Sequence, residues 1–403
     1  MSNNYDIVIN GAGIPGLTLA LLLTRDSARG KPQILLLDRH PLVTNDALHE
    51  VPRSVDDFDL RVFALTEASR GLLEVAGAWP RERTERIYPY EQMHVWDAGG
   101  SGQIHFDAAE LGTASLGYIT EGRVLQDWLI QQVLQENAIE IISGDEIDAY
   151  EEQQSGFQLS LQSGMKIHTS LLVGADGANS RVRQLSGIGT VGWSYRQQAV
   201  VATVETAEDH QCTAWQRFLP EGPLAFLPMK KPWSSIVWSV SEQRADALCE
   251  LGENEFTRVL AEDFQHRLGE VKVVGQRAKF PLRMSHAQSY IAPGVALVAD
   301  AAHTVHPLAG QGLNLGLQDV SALSEQIQLA RSRGQNIGSR RVLRAYERAR
   351  KGDNWLMQGS FDGLKRLFSN EQELLTQLRN MGLSAVDRVP VIKNAFVRKA
   401  MGL

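Results

Sequence analysis

The sequence predicts an α/β fold in which a layer of parallel strands and helices is interrupted by antiparallel strands and closed by helices. Three observations carry this reading. An apolar strand at the N-terminus runs straight into a glycine-rich turn and a helix-like stretch; residues 195–245 hold longer runs of strand character; helical spacing takes over after Gly312. Strands that alternate with helices build parallel sheets, whereas consecutive strands build antiparallel ones.

The composition sets outer limits. A chain of 403 residues with 43% apolar and 22% charged residues can bury a sizeable core in two or three domains. The net charge of −7, with no dense basic block, excludes a nucleic-acid footprint. Cys212 and Cys249 form neither a disulfide framework nor a metal-ligand spacing, and are expected to be buried small hydrophobes in a reducing compartment. The chain enters a strand at once, without a basic leader, and no run reaches about 18 apolar residues. A cytoplasmic location is the expectation.

The elements follow in order. Residues 5–10 read as a buried strand, 17–23 as the helix after it, and 34–37 as a second buried strand. Residues 41–60, with Pro41, Pro52 and several aspartates, read as a mobile surface loop. Val124, Leu125, Trp128, Leu129 and Val133 give residues 122–135 helical spacing. Short alternating runs such as 157–161 lead to the apolar 171–173, and residues 200–204, 225–227 and 236–240 are candidate strands.

Gly11-Ala-Gly13-Ile-Pro-Gly16 is GxGxxG placed after a strand and before a helix. Gly11 permits the tight turn, Gly13 lets the backbone approach a pyrophosphate, and Gly16 lets helix and strand pack closely. The helix start offers unpaired N–H groups to phosphates. Asp38 closes the second strand, where an acid accepts from ribose hydroxyls. Gly187-Ile-Gly189-Thr-Val-Gly192 fits the same pattern, but it follows a charged segment and no acid is placed behind it. It reads as a flexible loop, which leaves one dinucleotide unit. In residues 171–183, Asp176-Gly177 ends an apolar strand, and Ser180 and Arg183 follow; Asp176 and Ser180 are competent helix caps. Residues 295–298 form an apolar run before Asp300, Pro307 and the pair Gly310 and Gly312: a strand that delivers a carboxylate, then a glycine-lined approach to a ligand.

Together these segments resemble the single-component flavoprotein monooxygenases of the para-hydroxybenzoate hydroxylase type. That family carries GxGxxG, then DGxxSxxR, then a late GD pair; Ala299 stands here where glycine is usual. The runs 59–66, 214–228, 280–283 and 300–320 look like the ubiquinone-biosynthesis hydroxylases, over about residues 5–345. The resemblance implies a Rossmann-like FAD-binding domain (residues 1–90, 119–185 and 286–345), an inserted, mainly antiparallel substrate sheet (91–118 and 186–285), and C-terminal helices (346–403). It implies that Gly11, Gly13 and Gly16 face the FAD pyrophosphate and Asp38 the adenosine ribose. Arg61, Arg123 and Gln126 would contact the pyrophosphate–ribityl region, the alternative for the arginines being surface salt bridges. Asp300 would hold ribityl hydroxyls, and Gly310, Gly312, Leu313 and Asn314 would line the flavin pyrimidine edge. Asp176 and Arg183 belong to a segment that the family uses near FAD and the reduced nicotinamide.

The implied reaction is aromatic-ring hydroxylation with NADH or NADPH and dioxygen through a flavin C4a-hydroperoxide, on a polyprenylated phenol of ubiquinone synthesis. The alternatives are hydroxylation of another small aromatic, or a non-catalytic FAD-binding partner in a quinone-synthesis complex. Trp233 and Trp238 do not make the WxWxIP signature of flavin halogenases. The Pro307 backbone carbonyl would face the substrate, and His306 is a candidate base near the phenol. His303 and His306 are not expected to bind metal, since no further ligand is placed. Trp215, Phe218, Pro223, Phe226 and Leu227 are candidates for the substrate wall, most of them read as sheet core. Residues 389–403 mix apolar and basic side chains; a docking helix is the favoured reading, with peripheral membrane binding on the inner face as the other. A homo-oligomer is compatible with the sequence.

Overall fold

A computed structural model describes residues 3–25, 30–80, 85–100, 102–153, 156–305 and 311–368. Strand β1 (Asn4–Asn10) runs through Ile7, Val8 and Ile9, none of which touches solvent. Such a continuous apolar run suits a strand covered on both faces. Helix α1 (Ile14–Arg25) returns from it to β2 (Ile34–Asp38). The parallel layer has the order Val295–Leu297, Lys166–Gly174, β1, β2, Ile139–Ser143, all pairs parallel. Against α1 pack the helices Gln311–Ser332 and Gly122–Leu134. The strands Ile147–Gln153 and Gly156–Leu161 extend this sheet antiparallel from Lys166–Gly174.

A second sheet runs in the order His303–Thr304, Ala278–Ala287, Thr190–Thr206, Trp233–Ser241, Pro223–Pro228, Thr213–Phe218, Gln92–Asp97, Gln103–Asp107. Its pairs are antiparallel except Thr213–Phe218 with Gln92–Asp97. One of its faces is sealed by the helices Glu242–Glu250 and Glu253–Asp263, where Phe226, Trp238, Phe256 and Phe264 share one core. Phe226 and Phe264 stack with centroids 3.9 Å apart. A small third sheet of Val62–Leu65, Gly117–Glu121 and Ile87–Tyr90 packs its Tyr88 and Ile119 with Leu227, Met229 and Trp233.

Two expectations change. Thr190, Val191 and Gly192 are not loop; they begin the 17-residue strand Thr190–Thr206. Gly192 is demanded there by packing, because a Cβ would lie 2.1 Å from the carbonyl oxygen of Met284. Residues 41–60 carry little regular structure beyond the short turns Asp46–His49 and Val55–Asp57, yet they are anchored. Asp127 accepts from the Asn45 N–H at 2.8 Å and lies 2.6 Å from His49 Nε2. Arg86, 3% exposed, donates to the carbonyls of Glu50 and Asp57 and pairs with Glu121 at 3.1 Å. Both cysteines are half-buried. Residues 389–403 lie outside the described residues. Among the described residues no helix is long and apolar enough to cross a membrane, and no His, Cys, Asp or Glu cluster could hold a metal.

Burial raises the Glu121 carboxyl, while the Asp59 N–H and the charge of Arg86 pull the other way. Removal of one partner leaves the other charge buried and uncompensated, which costs about 3–5 kcal/mol. Arg86→Ala should therefore lower stability by an amount of that order, seen as a lower urea midpoint.

Candidate functional site

The two large sheets and the small one enclose a cleft of about 1430 Å³. At one end is the glycine-rich turn. Gly11 has φ 113°, and a Cβ there would meet the Ala175 carbonyl at 2.4 Å; a Cβ at Gly16 would lie 1.9 Å from the Gly11 oxygen. Chain packing thus explains both glycines. Gly13 differs, since the nearest atom to a Cβ there is Pro15 Cδ at 3.8 Å. Only a ligand pressed against the backbone would require glycine at this position.

The peptides of the turn are clamped. The Ala12 N–H donates to Asp38 Oδ2 at 2.7 Å, and the Ala12 carbonyl accepts from Gln126 Nε2 at 2.9 Å. The other Asp38 oxygen accepts from the His40 N–H at 2.8 Å. Asp38 and Gln126 line the cleft, but the contacts they make within the chain orient the loop. Arg61 and Arg123 are exposed and line the cleft, and neither forms an ion pair among the described residues. The surface-salt-bridge alternative is absent there. The Arg61 guanidinium lies 5.2 Å from the Phe63 ring, and Asp59 Oδ2 accepts from the Arg123 N–H at 2.8 Å. Two guanidiniums without an ion pair beside a helix start have the charge and geometry that suit a diphosphate.

Asp176 does what a cap does. It accepts from the N–H groups of Arg181 at 2.7 Å and Val182 at 3.1 Å, and from Asn10 Nδ2 at 2.9 Å. Ser180 Oγ accepts from the Arg183 N–H at 3.0 Å. The Arg183 side chain donates to the carbonyls of Ala301 at 2.9 Å and Ala178 at 2.7 Å. It is absent from the cleft wall, so in this structure it staples the middle segment to the late one, whereas Asp176 retains a cleft face.

In the late segment, Asp300 faces the cleft from the single turn Ala299–Ala301. Burial raises its pKa, and the charges of Arg61 and then His303 oppose that shift. Ala299 adopts φ 54°, a left-handed conformation that disfavours a side chain. Its methyl is accommodated because Gly316 has none: a Cβ there would sit 2.6 Å from Ala299 Cβ. The Ala299 N–H donates to Asp319 Oδ2 at 3.1 Å. Asp319 is wholly buried, bonds His303 Nε2, and accepts from Arg350 Nε at 2.9 Å and Asn354 Nδ2 at 3.0 Å. Burial pushes its carboxyl up, but His303 and Arg350 outweigh that and hold it below the usual range. Sequence reasoning missed Asp319; the available signal was an acid among the leucines of a helix.

Gly312 and Leu313 line the cleft where the helix Gln311–Ser332 begins, and first-turn N–H groups have no acceptor within their own helix. Asn314 is different: its Nδ2 donates to the Ala64 carbonyl at 2.8 Å, and its Oδ1 accepts from the Thr66 N–H at 3.0 Å and Ser69 Oγ at 2.7 Å. Its side chain ties the helix to Val62–Leu65 instead of pointing into the cleft. His306, Pro307 and Gly310 lie outside the described residues. Of the candidate wall, Trp215, Pro223 and Leu227 line the cleft, while Phe226 and Phe218 belong to separate cores.

The residues present fit FAD. Gly13 opens on ligand space, Arg61 and Arg123 offer unpaired positive charge, and Asp300 stands farther along the same cleft. A family model for the FAD binding domain matches residues 4–357. The 3-demethoxyubiquinol 3-hydroxylase of Escherichia coli (strain K12) is 36% identical over 404 residues, covering 99% of this chain and 98% of that protein. The mitochondrial ubiquinone biosynthesis monooxygenase COQ6 of Homo sapiens is 34% identical, covering 98% and 92%. The crystal structure of PqsL, a probable FAD-dependent monooxygenase from Pseudomonas aeruginosa, superposes with TM-score 0.77 at 22% identity, over 95% of this chain and 100% of that one.

The two kinds of glycine should separate experimentally. Gly16→Ala should prevent stable folding, whereas Gly13→Ala should fold normally and lose bound flavin, read from thermal melts and the flavin absorbance of the purified protein. Asp300 gives a second test. A carboxyl raised on folding contributes stability below its unfolded pKa and loses it as pH rises through the folded value. At neutral pH the Asp300 carboxyl therefore costs the folded apoprotein stability. Asp300→Asn should raise the apoprotein Tm at pH 7 and weaken FAD binding, and the Tm gain should vanish as pH falls below the usual carboxylate range.

Proposed function

The chain belongs to the FAD binding domain family and is an FAD-dependent monooxygenase, and on that premise we propose that it hydroxylates the aromatic ring of a polyprenylated phenol in ubiquinone synthesis, with NADH or NADPH as reductant. The observation that carries the proposal is the continuity of the cleft. One chamber runs from the Gly13 backbone and Asp300 to an apolar wall that includes Tyr90, Met93, Phe106, Leu116 and Leu227. A ring placed in it lies against the cofactor region while an apolar tail finds apolar surface. The names of the relatives supply the quinone pathway.

Bound flavin supplies the redox and oxygen-activating chemistry. The chain's residues position it. The peptide of Gly13 and the start of α1 receive the pyrophosphate, with Arg61 and Arg123 paired to it. Asp38 keeps free lone pairs for the adenosine ribose, and Asp300 accepts from ribityl hydroxyls. Peptide N–H groups opening the helix Gln311–Ser332 would favour negative charge on a bound flavin. Apolar side chains on the far wall exclude water, which strengthens each of these interactions. Pro307 and His306 are the proposed contacts to the substrate ring, and segments 91–118 and 186–285 the proposed substrate side. Residues 389–403 are proposed as a docking helix.

In 18O-labelled dioxygen, the FAD-loaded protein with NAD(P)H and a prenylated phenol should give a product one labelled oxygen heavier. Oxidation of reduced nicotinamide with no label in any phenolic product would overturn the reading.

A further inference from the structure

We propose that Gln216 reads the oxygen substituent of the substrate ring; this assignment rests on the reading of the cleft as a phenol site. Gln216 lies in the strand Thr213–Phe218, opposite Ala225. Ala225 lies opposite Val237, and Val237 opposite Val201. Residues directly opposite in paired antiparallel strands share a face, and all four line the cleft. They make a strip across four strands whose side chains are an amide, a methyl and two isopropyl groups. Ala214 and Leu227 border the strip on one side, and Ala199 and Ser239 on the other. The floor is small and apolar, which leaves room for a flat ring, and the amide stands at one end of it.

That amide is unpaired. Gln216 is 8% exposed, and its side chain makes no hydrogen bond among the described residues. Other buried amides of this chain are used: Asn314 ties a helix to a strand, Asn354 bonds Asp319, and Gln358 Oε1 lies 2.8 Å from His286 Nδ1. Neither of its amide atoms is sealed off within the protein, so both are open to a ligand in the cleft. A ligand that covers the amide without pairing it strips away its water with no return. A carboxamide donates and accepts at once, so a ring hydroxyl satisfies both functions and a hydrocarbon satisfies neither. The Ser239 hydroxyl stands two strands away, on the order of 10 Å at ordinary strand spacing, too far to share the same oxygen.

Two probes that differ by one oxygen test the assignment: 2-geranylphenol and geranylbenzene, titrated calorimetrically into the FAD-loaded protein. The unmodified protein should bind the phenol on the order of tenfold more tightly, the scale of one net hydrogen bond. In Gln216→Leu the preference should vanish, because the phenol binds more weakly while geranylbenzene binds at least as tightly as before. Misfolding would not hold or improve hydrocarbon binding, and an unchanged flavin content checks the cofactor end. If Gln216→Leu keeps the full preference, the assignment to Gln216 is overturned and the phenol site stands. If the unmodified protein binds neither probe, the phenol-site reading fails and this assignment with it.

Discussion

The site hangs on the backbone of one residue, Ala12. The N–H of Ala12 is taken by Asp38 and its carbonyl by Gln126, so the end of β2 and the helix Gly122–Leu134 grip the glycine-rich turn from opposite sides. Gly11 and Gly16 then close on Ala175 and on each other with no space for a side chain. The turn is held in shape by contacts within the chain, which suits a diphosphate cradle: a preformed set of N–H groups costs little to organise on binding.

The same economy extends to the positive charges. Asp59 receives the Arg123 N–H on its carboxylate and gives its own N–H to Glu121 at 2.8 Å. Glu121 is in turn held by buried Arg86. A buried ion pair thus fixes the backbone from which Arg61 and Arg123 reach out, while their guanidiniums stay unpaired at the cleft. The interior charges are satisfied, and the cleft charges are left for a ligand.

What could be read from the sequence was local. Each of the strand–glycine–helix turn, the acid that ends β2 and the cap at Asp176 is written within a few residues, because the backbone geometry they serve is itself local. Side-chain partners were not readable. Asn314 bonds Thr66, Arg183 bonds Ala301, and Asp319 bonds Arg350 across the fold; no spacing rule reaches so far. Gln216 needed strand register, since only the pairing to Ala225 and onward to Val201 shows which face it shares. The repeated glycines at 187–192 misled for a related reason: Gly192 answers to the Met284 backbone on a neighbouring strand, and not to its own turn.

The Ala299 methyl fills the space that Gly316 leaves empty, and it does so from a left-handed backbone. The two positions are therefore epistatic, and the path between their possible pairs has a direction. Glycine at 299 relieves strain and leaves 316 free to gain a methyl later. Alanine at 316 first would collide with the methyl already present, in the turn that carries Asp300. Drift in this lineage can pass from alanine–glycine to glycine–alanine only through the double glycine.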